Sequence, residues 1–263
     1  SLTNLNASGL DLVGANYLAV MPQMASVVLV AVMLMQSLQE SAGVPTGGLP
    51  PEPPVLQFLL VSYAPLVEEL SYRITTIGFI DAVLLLFRTP RARMNERRPG
   101  RARILLLTMW KPEAAKELLG FPTIQTYGVA RGILRTEWLL LLITSVAFGA
   151  VHYLAGGGWD VGKISTAALS GFAMGLVYLR YGAYAPVLLH WFFNYYFGTF
   201  DLAVQLNLSG FGPLSTGVEL LNVGAGILLM AALIGIYLRR IWHLRPRRPQ
   251  RITEYVGQSP NAS

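Results

Sequence analysis

The stretch Tyr63-Ala64-Pro65-Leu66-Val67-Glu68-Glu69-Leu70-Ser71-Tyr72-Arg73 sits inside an apolar run from Val55 to Phe87. In hydrocarbon each of its three charges would cost roughly 2.5–3.5 kcal/mol on insertion scales unless it faced protein or water. Charges kept at that cost point to a functional site. The plainer reading is a structural ion pair in a buried soluble helix. Helical spacing divides the group. Glu69 and Arg73 stand at i and i+4 and can pair with each other. Glu68 is turned about 100° from Glu69 and shares its face with Tyr72, which leaves it the unpaired carboxylate.

The whole chain carries the same signal. Its 263 residues are 53% hydrophobic and only 13% charged, where globular chains average about 25% charged. So little polar surface predicts an all-α, polytopic transmembrane helical bundle with the active site inside it. About six main spans are expected, at 17–38, 55–87, 137–155, 164–181, 184–204 and 218–238. Residues 104–138 read as an interfacial or lateral segment. The run 55–87 would make a helix of about 50 Å, longer than a ~30 Å hydrocarbon core. Pro65 is the expected break, because the residue before a proline is pushed out of helical geometry. The Glu pair would then open a fresh helix. Residues 1–252 read as a single integral-membrane domain and 253–263 as a disordered tail.

Charge sets the expected orientation. Of 20 basic residues 17 are Arg, seven of them between Arg88 and Arg103 and six between Arg239 and Arg251. Both clusters directly follow apolar runs, so they read as cytoplasmic topology signals rather than nucleic-acid contacts. Anionic lipid headgroups are the expected partners there. This puts both termini in the cytoplasm of a cell-membrane protein. The loops 39–54, 156–163 and 205–217 then fall outside, and Lys163 is the one basic residue they hold. With no Cys, disulfides, thiolate catalysis and Cys-based metal sites are excluded. No charged n-region with a cleavage site precedes the first span, so no signal peptide is expected. No internal repeat points to a transporter.

Few other polar groups lie in the apolar runs. His152 closes one span, one turn after Phe148, which would pack against it. His190 and Asn194 share a face of another. One buried His is commonly a satisfied core residue. Two, with an unpaired Glu and an Asn, have no cheap structural role in lipid, because each needs a partner.

Glu68-Glu69-x-x-x-Arg73, Phe148-x-x-x-His152 and His190-x-x-x-Asn194 together resemble the three-motif signature of the CPBP family. These are intramembrane glutamic proteases that include the CAAX prenyl endopeptidases and abortive-infection homologues. The resemblance covers about 61–197. Tyr72 and Ile74 depart from the usual Phe and Gly around the Arg. It implies an endopeptidase in which Glu68 and His152 activate water, and His190 with Asn194 stabilise the oxyanion. Glu69, Arg73, Tyr72 and Phe148 would support them. No cofactor is implied. The substrate would be a peptide or protein, lipidated or not at its C-terminus.

Two alternatives stand beside it. Glu68, His152 and His190 are also ligands of zinc type, although the usual metalloprotease helix motif is absent. Buried Glu and His also serve proton relays, so a non-catalytic carrier or scaffold is the rival class. One constraint is sharp. In this topology His152 lies near the outer end of its span and His190 nearer the inner end of its own. Residues sharing one water must share one depth.

Overall fold

The structure, a computed structural model, describes residues 16–48, 52–89, 100–155 and 157–244. The N-terminal stretch, most of the first Arg cluster and the expected tail lie outside the described residues.

All six apolar runs are helical. They are α1 (Tyr17–Ser41), α2 (Pro54–Arg88), α7 (Arg135–Leu154), α8 (Gly162–Tyr181), α9 (Tyr184–Gln205) and α10 (Phe211–Leu244). Four are long and apolar enough to cross a membrane: α1, α2, α7 and residues Phe211–Arg239 of α10. Helices α8 and α9 have span length, but small and polar residues such as Gly171, Gly175 and His190 are buried along them. Small residues let α7 and α8 approach closely. A Cβ on Gly149 would meet the Ile164 carbonyl, and one on Gly175 would meet Leu141. Their partners Phe148, Met174 and Val177 join Tyr17, Leu29 and Leu189 in the main core. Helix α10 lies on α1, where Gly226 faces the Ser26 carbonyl. It begins at Phe211, earlier than the loop expected through Gly217, because Pro213 falls in the first turn, where no amide is needed.

Pro65 does not break α2. The α-helix runs through it to Glu69, and a π-helical stretch follows from Leu70 to Phe79. Proline removes the N–H that would bond to the carbonyl four residues back, which is that of Val61. Asn194 Nδ2 donates to this orphaned carbonyl at 3.2 Å. Trp191 Nε1 donates to the next one, Ser62, at 2.8 Å. A neighbouring helix thus repairs the proline, as membrane helices allow. The expected fresh start for the Glu pair is replaced by a wider turn after it. There Thr76 Oγ1 bonds the Ser71 carbonyl, five residues back, at 2.8 Å.

The segment read as interfacial is built into the bundle. It forms four short helices, α3 (Arg101–Trp110), α4 (Pro112–Leu119), α5 (Ile124–Tyr127) and α6 (Val129–Gly132). Lys116 is the reason. It is fully buried, with Nζ 2.9 Å from Glu137 Oε2 and on the Gly132 carbonyl, while the same Glu137 oxygen accepts from the Leu134 amide. An amphipathic pattern marked α4 for a surface, but its one lysine points at a buried carboxylate. Removing one partner of a buried pair costs about 3–5 kcal/mol. Lys116→Met is therefore expected to lower the thermal unfolding midpoint in detergent by several degrees. Lys116→Met with Glu137→Leu should recover part of the loss.

Candidate active site

The site is organised by Glu69, not by the carboxylate that faces outward. Glu69 and Arg73 are 0% and 1% exposed, and Arg73 Nη1 donates to Glu69 Oε1 at 3.0 Å. The second guanidinium arm donates to the Gly171 carbonyl of α8 at 2.9 Å. A Cβ at Gly171 would press on that arm and on Phe148, each at 3.1 Å. Gly171 thus clears space for the guanidinium, a role its small-xxx-small spacing with Gly175 had indicated only as packing. Glu69 Oε1 also accepts from His190 Nδ1 at 2.8 Å. The Glu69 oxygen thereby joins α2 to α9, and Arg73 ties the pair to α8.

Glu68 lies one residue away with its side chain 30% exposed, so it is the reachable carboxylate. Its Oε2 is 3.7 Å from His190 Nε2, too long for a direct hydrogen bond. That oxygen has no hydrogen-bond partner among the described residues. Since Nδ1 of His190 donates to Glu69, Nε2 is the ring atom turned to Glu68. His152 is held the same way. Its Nδ1–H donates to the Phe148 carbonyl at 2.8 Å, which leaves Nε2 to face the site.

Phe148 holds these groups together. Its ring meets those of His152, Tyr72 and His190 edge-on at 4.6, 5.3 and 5.8 Å. The Arg73 guanidinium lies over its face at 4.5 Å, an attraction between cation and ring quadrupole. Glu68, Glu69, Tyr72, Arg73, Phe148, His152 and His190 therefore lie in one neighbourhood. Asn194, one turn after His190, bonds α2 at Val61 instead, which engages one of its two amide protons. Trp191 went unnoticed in the sequence because nothing in its position marks it as the donor to Ser62. Among the described residues no group of three or more His, Asp or Glu converges as a metal-ligand set.

The depth conflict resolves through α3. Helix α9 does not begin at the level of the Arg cluster. Its turn with α8 rests on the end of α3, where Ala183 N donates to the Trp110 carbonyl at 3.0 Å. Tyr178, just before that turn, reaches the carbonyls of Thr108 and Met109 beside Gly78. Gly78 is ten residues above the end of α2, about 15 Å of helix. His190 is thus raised to the level of Glu68.

Between α2 and α9 an apolar cavity of about 420 Å³ lies against Leu66, Leu70, Ile74, Tyr184, Leu188 and Trp191. The catalytic candidates do not line it, but Leu66 and Leu70 flank the Glu pair.

Breaking the buried pair should be costly. Arg73→Met is expected to destabilise the protein by about 3–5 kcal/mol, because it strands the Glu69 carboxylate. Arg73→Lys should rescue little, since a single ammonium does not reproduce the guanidinium fork that serves Glu69 and Gly171 together. Thermal unfolding in detergent reads both.

Residues 50–196, more than half of the chain, match the model of a family described as type II CAAX prenyl endopeptidase Rce1-like. The match nearly coincides with the 61–197 core that carries the motifs. Neither the curated proteins nor the solved structures contain a match. With its four apolar helices of membrane-crossing length, the chain is an integral membrane protein and belongs to the type II CAAX prenyl endopeptidase Rce1-like family, a family of proteases.

Proposed function

We propose that this protein hydrolyses a peptide bond within the membrane, using a water activated by Glu68 and His152. The observation that carries the reading is the division of the two adjacent carboxylates. Glu69 is fully buried, with one oxygen shared by Arg73 and His190, whereas the Glu68 side chain is partly exposed and its nearest His190 nitrogen is 3.7 Å away. A general base has to be reachable by the water it deprotonates.

The steps follow from the free atoms. Water donates one hydrogen to Glu68 and the other to His152 Nε2. Glu68 takes the proton as the oxygen adds to the scissile carbonyl carbon. The resulting oxyanion accepts from protonated His190 Nε2 and from the second Nδ2 proton of Asn194. Each such donor is worth about 2.7–4 kcal/mol. Collapse breaks the C–N bond, and Glu68 returns its proton to the leaving amine. Glu69 keeps the charge of protonated His190 balanced through Nδ1. This chemistry needs no metal.

We place the site in a single integral-membrane domain of six spans, with α8 and α9 as interior spans and both termini cytoplasmic. The substrate is a peptide or protein end, and the apolar cavity beside Leu66 and Leu70 offers room for an attached lipid chain.

Two measurements test the reading. Liposome-reconstituted protein is expected to cleave a prenylated CAAX-type peptide. Glu68→Ala, His152→Ala and His190→Ala should each lose at least about a hundredfold in rate, and Asn194→Ala about 10²–10³-fold. Equal cleavage by the Glu68 variant sinks the proposal, and cleavage by none of the proteins favours the carrier reading. Chelator treatment is expected to leave the rate unchanged. Loss of activity with a chelator, restored by one zinc per chain, would transfer the chemistry to a metal held by Glu68, His152 and His190.

A further inference from the structure

Asp81 is a buried carboxylate with no part in the proposed chemistry. It lies on α2, two turns beyond Arg73, and is 1% exposed. Helices α2 and α7 run antiparallel along one seam. The Arg73 guanidinium sits over Phe148, Ile77 and Leu141 both approach Gly175, and Arg88 Nη1 donates to Thr136 Oγ1 at 3.1 Å. Asp81 stands one turn after Ile77, and Glu137 one turn before Leu141. The two side chains therefore face each other across the seam, within hydrogen-bonding reach. Glu137 is 0% exposed.

The donors around Asp81 are spent elsewhere. Lys116 of α4 gives its ammonium to Glu137 Oε2 and the Gly132 carbonyl. Tyr178 of α8 gives its hydroxyl to the carbonyls of Thr108 and Met109. Arg88, on the same helix as Asp81, is exposed and bonded to Thr136. Glu113 of α4 adds only another acid and accepts from the Gln125 amide at 2.8 Å. Among the described residues nothing donates to either Asp81 oxygen or to Glu137 Oε1. Two carboxylates cannot bond each other, because both only accept, whereas a carboxylic acid donates to a carboxylate. The charge count calls for the same hydrogen. Two buried carboxylates beside one buried ammonium leave a negative charge unpaired, which is strongly destabilising.

We propose that Asp81 and Glu137 bind one proton between them, and that this proton latches α2 to α7 as an alkaline-sensitive switch. Asp81 donates its acid hydrogen to Glu137 Oε1, while Glu137 Oε2 keeps Lys116. The three side chains are then neutral together. The proton closes the seam beside the point where Lys116 ties α4 to α7, in the platform on which the α8–α9 turn rests. None of this depends on peptide hydrolysis. The folded chain holds one proton more than the unfolded chain, in which an aspartate is ionised at neutral pH. The stability of the latch is therefore full below the ordinary aspartate range and is lost as pH rises and the pair gives up its proton.

The test uses the full chain in detergent. Infrared spectra of wild-type protein with isotope-labelled aspartate carboxyls are expected to show the C=O stretch of a labelled, protonated acid at about pH 7, bleaching as pH is raised to about 10. Asp81 is the one buried aspartate among the described residues, and this measurement needs no variant to fold. The thermal unfolding midpoint of the wild type should fall by several degrees over the same range. Asp81→Asn supplies a permanent neutral donor to Glu137. It is expected to unfold at the wild-type midpoint near neutral pH and to lose most of the alkaline fall. The absence of a labelled acid band near neutral pH overturns the proposal and assigns the Asp81 oxygens to a bridging water or a cation. Midpoints of wild type and Asp81→Asn that fall in parallel overturn it as well, because the pair then carries none of the pH dependence.

Discussion

A buried guanidinium in an apolar bundle has to have its donors met, and Arg73 meets them by binding Glu69 on its own helix and the Gly171 carbonyl on α8. Because the Glu69 oxygen is shared with His190, this pairing also sets the rotation of α9. A desolvated ion pair is a weak source of net stability, since burial costs each partner its hydration. Its stronger effect is directional. The fork geometry and the shared oxygen admit one register among three helices, and that register leaves the Glu68 side chain partly exposed beside His190.

The proline repair works in the same way. Pro65 leaves the Val61 carbonyl without its usual donor, and Asn194 fills the gap. The residue with a proposed place at the oxyanion therefore also satisfies the backbone of α2. The π-helical turn from Leu70 to Phe79 follows immediately; such wide turns are rare and concentrate at functional sites. Tyr195 and Trp191, both on Ser62, extend the same seam between α2 and α9. One helix face thus performs two tasks, holding an imperfect helix in shape and presenting His190 to Glu68.

Around this centre the chain adds two supports of different character. Below it, α3 to α6 anchor on the buried Lys116–Glu137 pair and raise the α8–α9 turn. Above it, the backbone clasp between Gly47 and Trp159 carries Lys163. The first sets the depth of His190, and the second fixes the start of α8 and seats Lys163 on Trp159.

Much of this could be read from the residues. Apolar runs located all six long helices, i and i+4 spacing paired Glu69 with Arg73 and left Glu68 apart, and three spaced motifs indicated the family. These are local properties: periodicity and spacing act within one helix, and a charge in an apolar run declares its own cost. What required the tertiary structure was every relation between helices. Pro65 looked like a break because the donors that repair it, Asn194 and Trp191, lie about 130 residues away. The α4 pattern looked like a membrane surface because Lys116 finds its carboxylate only on α7. The depth of His190 depended on where the α8–α9 turn came to rest, on Trp110. Lys163 was visible as a solitary basic residue in the outer loops, but only the clasp sets it on Trp159. Sequence spacing encodes what a helix presents, whereas packing decides which partner receives it, because an orphaned carbonyl or a buried charge is satisfied by whichever group the fold brings within hydrogen-bond distance.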